Sequence, residues 1–155
     1  MKLDIYENKY VVFLNKDILN KVDFKIKKQV ETCFKEIFAK IKRRINKDIN
    51  GFFSIKVYLN NKFGAIVVME KENLEYYDYF SNQIDMQIEI DYASNILLKI
   101  EDIFDFDLSS NKVYLYNNNF YVEYVDNPQA IEFGDIVYGE EADAIASSKN
   151  IIFYG

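Results

Sequence analysis

In one segment of the chain the apolar residues recur with the period of an α-helix. In most of the other apolar segments, apolar and polar residues alternate. Six apolar residues recur at steps of three or four, as one face of an α-helix requires: Ile26, Val30, Phe34, Ile37, Ile41 and Ile45. Asp23 is a suitable N-cap, and Asn50-Gly51 is a stop signal. The pattern predicts a single long amphipathic helix over residues 24–46 with that one face buried.

The remaining pattern is that of β-strands. Ile84, Met86, Ile88, Ile90 and Tyr92 alternate with Asp85, Gln87, Glu89 and Asp91. Such a strand has one apolar and one acidic face, which is typical of an antiparallel sheet with one solvated side. Hairpins are predicted for 3–6 with 10–14, 53–59 with 63–69, and 113–116 with 120–125. The segment 96–104 is expected to pair with 84–92, followed by a short helix at 140–146 and a strand at 151–154.

These elements predict an α+β fold, with antiparallel sheet packed on one main helix. The 155 residues fit one compact domain, 1–155. Two related ββαββ-like lobes, 1–72 and 73–155, are the alternative. Val57-Tyr58-Leu59-Asn60-Asn61 resembles Val113-Tyr114-Leu115-Tyr116-Asn117-Asn118, and either an internal duplication or the shared requirements of hairpins explains this.

Charge is sorted along the chain. Residues 21–47 contain ten Lys/Arg and three acids, whereas residues 70–143 contain eighteen acids and three bases. The formal net charge of −6 therefore combines a basic segment with a very acidic one. An uneven distribution of this kind bears on partners and solubility rather than on fold. The negative net charge of the chain disfavours nucleic-acid binding, although the basic helix and the many aromatic residues are compatible with such binding.

Several kinds of chemistry are excluded by composition. The chain has no histidine, which removes imidazole-dependent triads and imidazole metal sites. The single cysteine, Cys33, lies on the apolar helix face and is expected in the core. The calcium-loop pattern that starts at Asp105 fails at Ser110 and Tyr116, where glycine and glutamate are required. No cofactor or metal is therefore expected. The alternative is a carboxylate-dependent, divalent-metal enzyme that uses Glu101, Asp102, Asp105 and Asp107, with nucleic acid as one candidate substrate.

The segment Glu75-Tyr76-Tyr77-Asp78-Tyr79-Phe80 is the candidate partner-binding site. It has four aromatic residues in five positions, and tyrosine is enriched in interface cores. A β-bulge or a buried crossover is the structural alternative. We expect a non-enzymatic protein-binding module of adaptor, regulatory or inhibitor/immunity type, whose acidic-aromatic surface engages a basic protein. The absence of a long uncharged apolar run predicts no signal peptide or membrane span, and hence a cytoplasmic protein.

A family resemblance supports the adaptor interpretation. Tyr10 to Leu14, Asp17-Ile18 and a helix containing Phe34-Lys35-Glu36-Ile37 precede the strand Ile55-Lys56-Val57 and a partner strand entered through Gly64. Lys99-Ile100-Glu101-Asp102 and the hairpin from Val113 to Tyr121 follow. This outline resembles the MecA-type adaptors of the Clp protease machinery. The resemblance implies a bacterial, non-catalytic adaptor with one lobe for client proteins and one for an unfoldase. The chain departs from the family in its shorter linker and reduced C-terminal helices.

Overall fold

The structure is a computed structural model that describes residues 2–72, 84–101, 112–123 and 135–148, and the backbone of a strand at 151–154. Helices and strands follow one another as predicted for an α+β fold. In chain order they are β1 (Lys2–Ile5), β2 (Lys9–Leu14), α1 (Lys16–Leu19), α2 (Lys27–Ile45), β3 (Gly51–Asn60), β4 (Gly64–Lys71), β5 (Ile84–Asp91), β6 (Leu97–Ile100), β7 (Lys112–Tyr116), β8 (Asn119–Val122), β9 (Asp135–Val137), α3 (Gly139–Ser147) and β10 (Ile151–Tyr154).

The chain divides into two compact units. The first comprises Met1–Val57 and Gly64–Ile90, and the second comprises Tyr58–Phe63 and Asp91–Gly155. Strands β1 to β5 form a sheet with the order β1-β2-β4-β3-β5. Strands β6 to β10 form another with the order β10-β7-β8-β6-β9.

In the first unit, the central strands β2 and β4 pair antiparallel, with Val12 opposite Val67. Consecutive residues are buried in both strands, over residues 11–14 of β2 and 63–67 around the start of β4. Because successive side chains point to opposite faces of a sheet, both faces of these strands are covered. Strand β5 differs, since its half-buried and exposed residues alternate from Ile84 to Asp91. The predicted apolar and acidic faces of this strand are therefore confirmed.

Helix α2 buries the predicted face at Val30, Phe34, Ile37 and Ile41, but Ile45 is only half-buried, and Phe38 is buried although it was not predicted. Val30, Cys33, Phe34, Ile37, Phe38 and Ile41 are its buried residues. The Phe38 and Phe53 ring centroids lie 4.7 Å apart, which places this face against β3. The helix begins at Lys27, and its N-cap is Ile26 rather than Asp23. Ile26 is 44% exposed, so its predicted burial is wrong, because it precedes the first helical turn. The helix ends at Ile45, before the predicted stop at Asn50-Gly51, and its C-cap is Asn46, whose φ of 51° is left-handed.

The second unit has its own core. Ala142 and Ile145 of α3 pack with Leu97, Tyr114 and Tyr121 from the sheet. The β7–β8 hairpin turns through Asn117 and Asn118, whose φ angles are 49° and 63°. Two positive φ angles in a two-residue loop are typical of a type I′ turn, and asparagine tolerates them better than most residues.

Two strand predictions need correction. Segment 96–104 was expected to pair with 84–92, but β6 pairs with β8 and β9, whereas β5 lies beside β3. Alternation indicates which face of a strand is buried, but it does not select its neighbour. Tyr92 lies beyond β5 and is 57% exposed, so its predicted place on the apolar face is wrong.

The described elements also bear on the suspected duplication. Helix α2 follows the second strand of the first unit, whereas α3 precedes the last strand of the second. The two strand orders also differ. Both explanations of the similarity between Val57–Asn61 and Val113–Asn118, an internal duplication and the shared requirements of hairpins, stay predictions from sequence.

Candidate functional site

A groove beside strand β5 is the candidate site. Its volume is about 410 Å³, and it lies entirely within the first unit. Its lining consists of Phe24, Lys25, Lys27, Val30, Phe52, Met86, Gln87, Ile88 and Ile90. This volume falls in the range of roughly 300–1,000 Å³ found for ligand pockets. Six of the nine lining residues are apolar, and the polar ones are Gln87, Lys25 just before α2 and Lys27 at its start.

A short turn before α2 positions the lysine side of this groove. The Lys25 backbone N–H donates to Asp23 Oδ1 at 3.0 Å, and the Asp23 N–H donates to Gln29 Oε1 at 3.0 Å. The Ile26 N–H donates to the Asp23 carbonyl oxygen at 3.0 Å. Asp23 therefore orders the segment that leads into the helix, although it is not the N-cap. Phe24, Lys25 and Lys27 are carried by this ordered segment.

Strand β5 forms the other side of the groove. Met86, Ile88 and Ile90 are half-buried, whereas Asp85, Gln87 and Glu89 are exposed. The Glu89 side chain is 78% exposed, and its Oε1 lies 3.9 Å from the Nζ of Lys56 on β3. A surface ion pair of this length is worth at most about 1 kcal/mol, so Glu89 remains accessible to another cation. We call Asp85, Gln87 and Glu89 the acidic row.

Strand β5 stands at one end of the strand order of its sheet. An edge strand directs backbone N–H and C=O groups away from its single neighbour. Within the described residues, β3 is the only strand beside β5. Strand β5 therefore lines one side of the groove and also carries the acidic row and the outer backbone edge.

The exposed face of α2 is strongly basic. Seven of its nineteen residues are Lys or Arg, and Glu31 and Glu36 are its acids. Lys27 lies 3.9 Å from Glu31, and Lys42 lies 2.9 Å from Asp48. The hydrogen bond and charge of Lys42 lower the pKa of the Asp48 carboxyl. The basic residues of this helix are solvent-exposed, as predicted from the sequence.

The predicted partner segment, Glu75, Tyr76, Tyr77, Asp78, Tyr79 and Phe80, lies outside the described residues. Of the four carboxylates suggested for an enzyme, Glu101 is exposed, and Asp102, Asp105 and Asp107 lie outside the described residues. Among the residues that the structure describes, no group of three His, Cys, Asp or Glu could hold a metal ion.

Cys33 is a buried, free cysteine, as predicted. Its pKa is raised mainly by burial and further by the charge of Glu36, while Lys40 acts in the opposite direction. A thiol with a raised pKa holds little of the reactive thiolate at neutral pH. Its environment is therefore that of a core residue.

A second cavity, of about 310 Å³, lies in the second unit around Asn60, Ser94 and Glu123. The polar groups in its wall already bond one another. Asn60 Nδ2 donates to the Ser94 carbonyl oxygen at 2.9 Å, and the Ser94 hydroxyl donates to the Asp91 carbonyl at 3.2 Å. Lys62 Nζ lies 3.5 Å from Glu123. These bonds hold two turns together and explain the burial of Ser94 without a ligand.

Comparisons with protein-family models, curated proteins and solved structures find no match to this chain. The resemblance to MecA-type adaptors therefore stays a prediction from sequence. None of the helices in the described ranges is long and apolar enough to cross a membrane.

The sequence predicted the two faces of β5 but no groove. Alternation placed Met86, Ile88 and Ile90 on one face of a strand and the acidic row on the other. Phe24 and Phe52 were missed, since neither belongs to the helical stripe and Phe52 lies on the other face of the alternating pattern that begins at Phe53. The combination of these residues depends on the position of β5 beside β3, which local sequence patterns do not determine.

Proposed function

We propose that this protein is a non-enzymatic protein-binding module that engages a basic partner through the acidic row on β5. The observation that carries the proposal is the exposure of Asp85 and Glu89 on a strand at the end of its sheet. The adaptor, regulatory and inhibitor/immunity roles expected from the sequence are all compatible with such binding. A cytoplasmic location and a protein partner belong to the same proposal.

Charge supports the assignment of the acidic side of the interface to this chain and of the basic side to the partner. Opposite charges across an interface increase the association rate and select among partners more than they increase affinity. Asp85 and Glu89 are four positions apart, or about 13 Å at the rise of a β-strand. Two bases on a partner can therefore contact them separately. The segment 75–80 adds two acids and four aromatic rings shortly before β5 in the chain.

A random peptide display library tests the proposal with the intact chain as bait. We expect the selected peptides to be enriched in Lys and Arg. Their association should slow as the ionic strength rises from about 0.01 M to about 0.1 M, because the Debye length falls from about 30 Å to about 10 Å. Enrichment of acidic peptides, or no enrichment, would contradict the proposal.

Charge-neutralising variants identify the surface. D85N/E89Q should weaken binding of a selected basic peptide, whereas K42Q/R43Q should change it little. E75Q/D78N tests the site predicted from sequence separately. All three need matched thermal stability before they are compared. If K42Q/R43Q loses binding and both acidic variants keep it, the basic face of α2 is the binding surface. An acidic protein or nucleic acid then becomes the better candidate ligand.

A further inference from the structure

We propose that the outer edge of β5 accepts an extended peptide as an added strand, with alternate side chains of the peptide entering the groove. The inference rests on the proposed function and names the shape and pattern of the ligand. Three features of β5 combine in it: its place at the end of the strand order among the described residues, the partly apolar groove beside it, and the acidic row.

The edge supplies backbone recognition. An extended peptide that joins a sheet edge gains main-chain hydrogen bonds, while pockets for alternate side chains provide specificity. The peptide would lie about 4.8 Å from β5, with its side chains directed alternately to the two faces of the sheet. One set of side chains would then meet Met86 and Ile88 in the groove, and the other would meet the acidic row, whose Gln87 also lines the groove.

The two faces of β5 require different side chains from the peptide. On the groove face, Met86 and Ile88 offer apolar contacts, and the lysines at 25 and 27 disfavour another cation. On the other face, Asp85 and Glu89 favour Lys or Arg, because opposite charges on neighbouring strands stabilise a pair. A peptide that is basic throughout is therefore a poor match.

The spacing on β5 defines a ligand pattern. The residues from 85 to 89 read acidic, apolar, polar, apolar, acidic. The complementary peptide reads basic, apolar, polar, apolar, basic. This pattern is the same in both chain directions, so it applies to a parallel and to an antiparallel added strand.

A second copy of this chain is a less suitable occupant. Pairing β5 with β5 would bring one acidic row beside another, and like charges on neighbouring strands are destabilising. Charge complementarity therefore favours a basic, alternating peptide from another protein.

Fluorescence anisotropy with synthetic peptides tests the inference on the full chain. The probe is a fluorescein-labelled peptide with the central sequence Lys-Val-Thr-Val-Lys. The matched control has the same composition in the order Lys-Lys-Val-Val-Thr, which keeps the charge and removes the alternation. We expect the control to bind at least about tenfold more weakly, since it cannot supply both faces at once.

Backbone methylation of the probe separates strand addition from simple charge attraction. Alternate N–H groups of an added strand face β5, and N-methylation of those groups removes their hydrogen bonds. Two methylated peptides are compared, each carrying N-methyl groups at one of the two alternating sets of backbone amides. One of them should bind about tenfold or more weakly than the unmethylated probe, and the other should bind as the probe does. Equal binding by both sets would overturn strand addition while leaving a charge-based acidic site intact.

Protein variants place the peptide. M86A should weaken the alternating probe about tenfold, because apolar contact area is lost, and should leave the scrambled control unchanged. D85N/E89Q should remove most of the salt dependence, and K42Q/R43Q serves as the distant charge control. Thermal melts of each variant exclude unfolding as the cause. If M86A has a lowered melting temperature, hydrogen exchange of the unmodified protein replaces it as the test. The bound probe should then slow the exchange of backbone amides in β5.

Two other outcomes count against the inference. Concentration-dependent dimerisation that the probe reverses would show that a second copy occupies the edge. Absence of binding by the alternating probe, with selected basic peptides still bound, would show that the acidic row recognises charge and that the edge is not used. Loss of all basic-peptide binding would instead contradict the proposed function.

Discussion

Ile37 tests the assignment of the buried helix face. It is 5% exposed and lies on the same face as Phe34 and Ile41, which are fully buried. Replacing it with alanine leaves a cavity, so I37A should lower the free energy of unfolding by about 2–5 kcal/mol. Urea denaturation with a constant slope measures this loss. A loss below about 0.5 kcal/mol, as for surface substitutions, would contradict the assignment.

Ile26 provides a matched control for that measurement. It was predicted on the same stripe, but it precedes the helix and is 44% exposed. I26A should therefore change stability by no more than about 0.5 kcal/mol. The period of three and four residues identified the buried face, but it could not place the first turn, because Ile26 fits the spacing equally well.

Cys33 gives a prediction about pH. Burial and the charge of Glu36 raise its pKa, so the folded protein keeps the thiol proton to a higher pH than the unfolded chain does. In the alkaline range the unfolded state therefore binds fewer protons, and stability should fall as the pH rises through that range. The thiol should react with a disulfide reagent more slowly in the native protein than in urea. Equal rates at neutral pH would contradict its burial.

Among the elements, the connection from β3 into β4 depends on Gly64. Its φ is +119°, and an added Cβ would collide with the carbonyl oxygen of Leu14. Backbone strain alone costs about 1–3 kcal/mol, and the collision adds to that cost. G64A should therefore lower the free energy of unfolding by at least that amount. Urea denaturation measures the loss.

Gly139 is the comparison for Gly64. Its φ is +67°, but a Cβ there would lie 3.5 Å from Tyr58 Oη, an ordinary contact. G139A should lower the free energy of unfolding by only about 1–2 kcal/mol, the cost of a non-glycine residue in the left-handed region. If G139A proves as harmful as G64A, the close approach at Leu14 is not what requires glycine at position 64.

Elements with strong local signals were predicted from sequence, and those with non-local determinants were not. The α2 stripe, the alternation of β5 and the β7–β8 turn each depend on neighbouring residues, and each was found. Strand β9 carries three residues and no clear period, so it was missed. The pairing of β6 was wrong, because several antiparallel arrangements satisfy the same alternation.

For the whole molecule, the pattern of apolar and charged residues along the sequence predicted an α+β protein with sorted charge, but it did not predict the groove. The acidic row was visible as Asp85, Gln87 and Glu89 in an alternating strand. Its use as an edge depends on the order β1-β2-β4-β3-β5, which follows from long-range contacts. The segment predicted as the partner site, 75–80, comes shortly before β5 in the chain, whereas the groove combines β5 with residues around the start of α2 and with Phe52 of β3.

Metal ions provide a test on the intact protein. The chain has no histidine and one cysteine, and its partial calcium-loop pattern fails at Ser110 and Tyr116. We therefore expect Ca²⁺, Mg²⁺ and Mn²⁺ at about 1 mM to leave the melting temperature unchanged relative to a chelator control. A ligand that binds only the native state at 100 times its Kd stabilises that state by about 2.7 kcal/mol, which thermal melting detects easily. A rise of several degrees with one ion, abolished by D105N/D107N, would instead favour the carboxylate-dependent metal enzyme over the binding module.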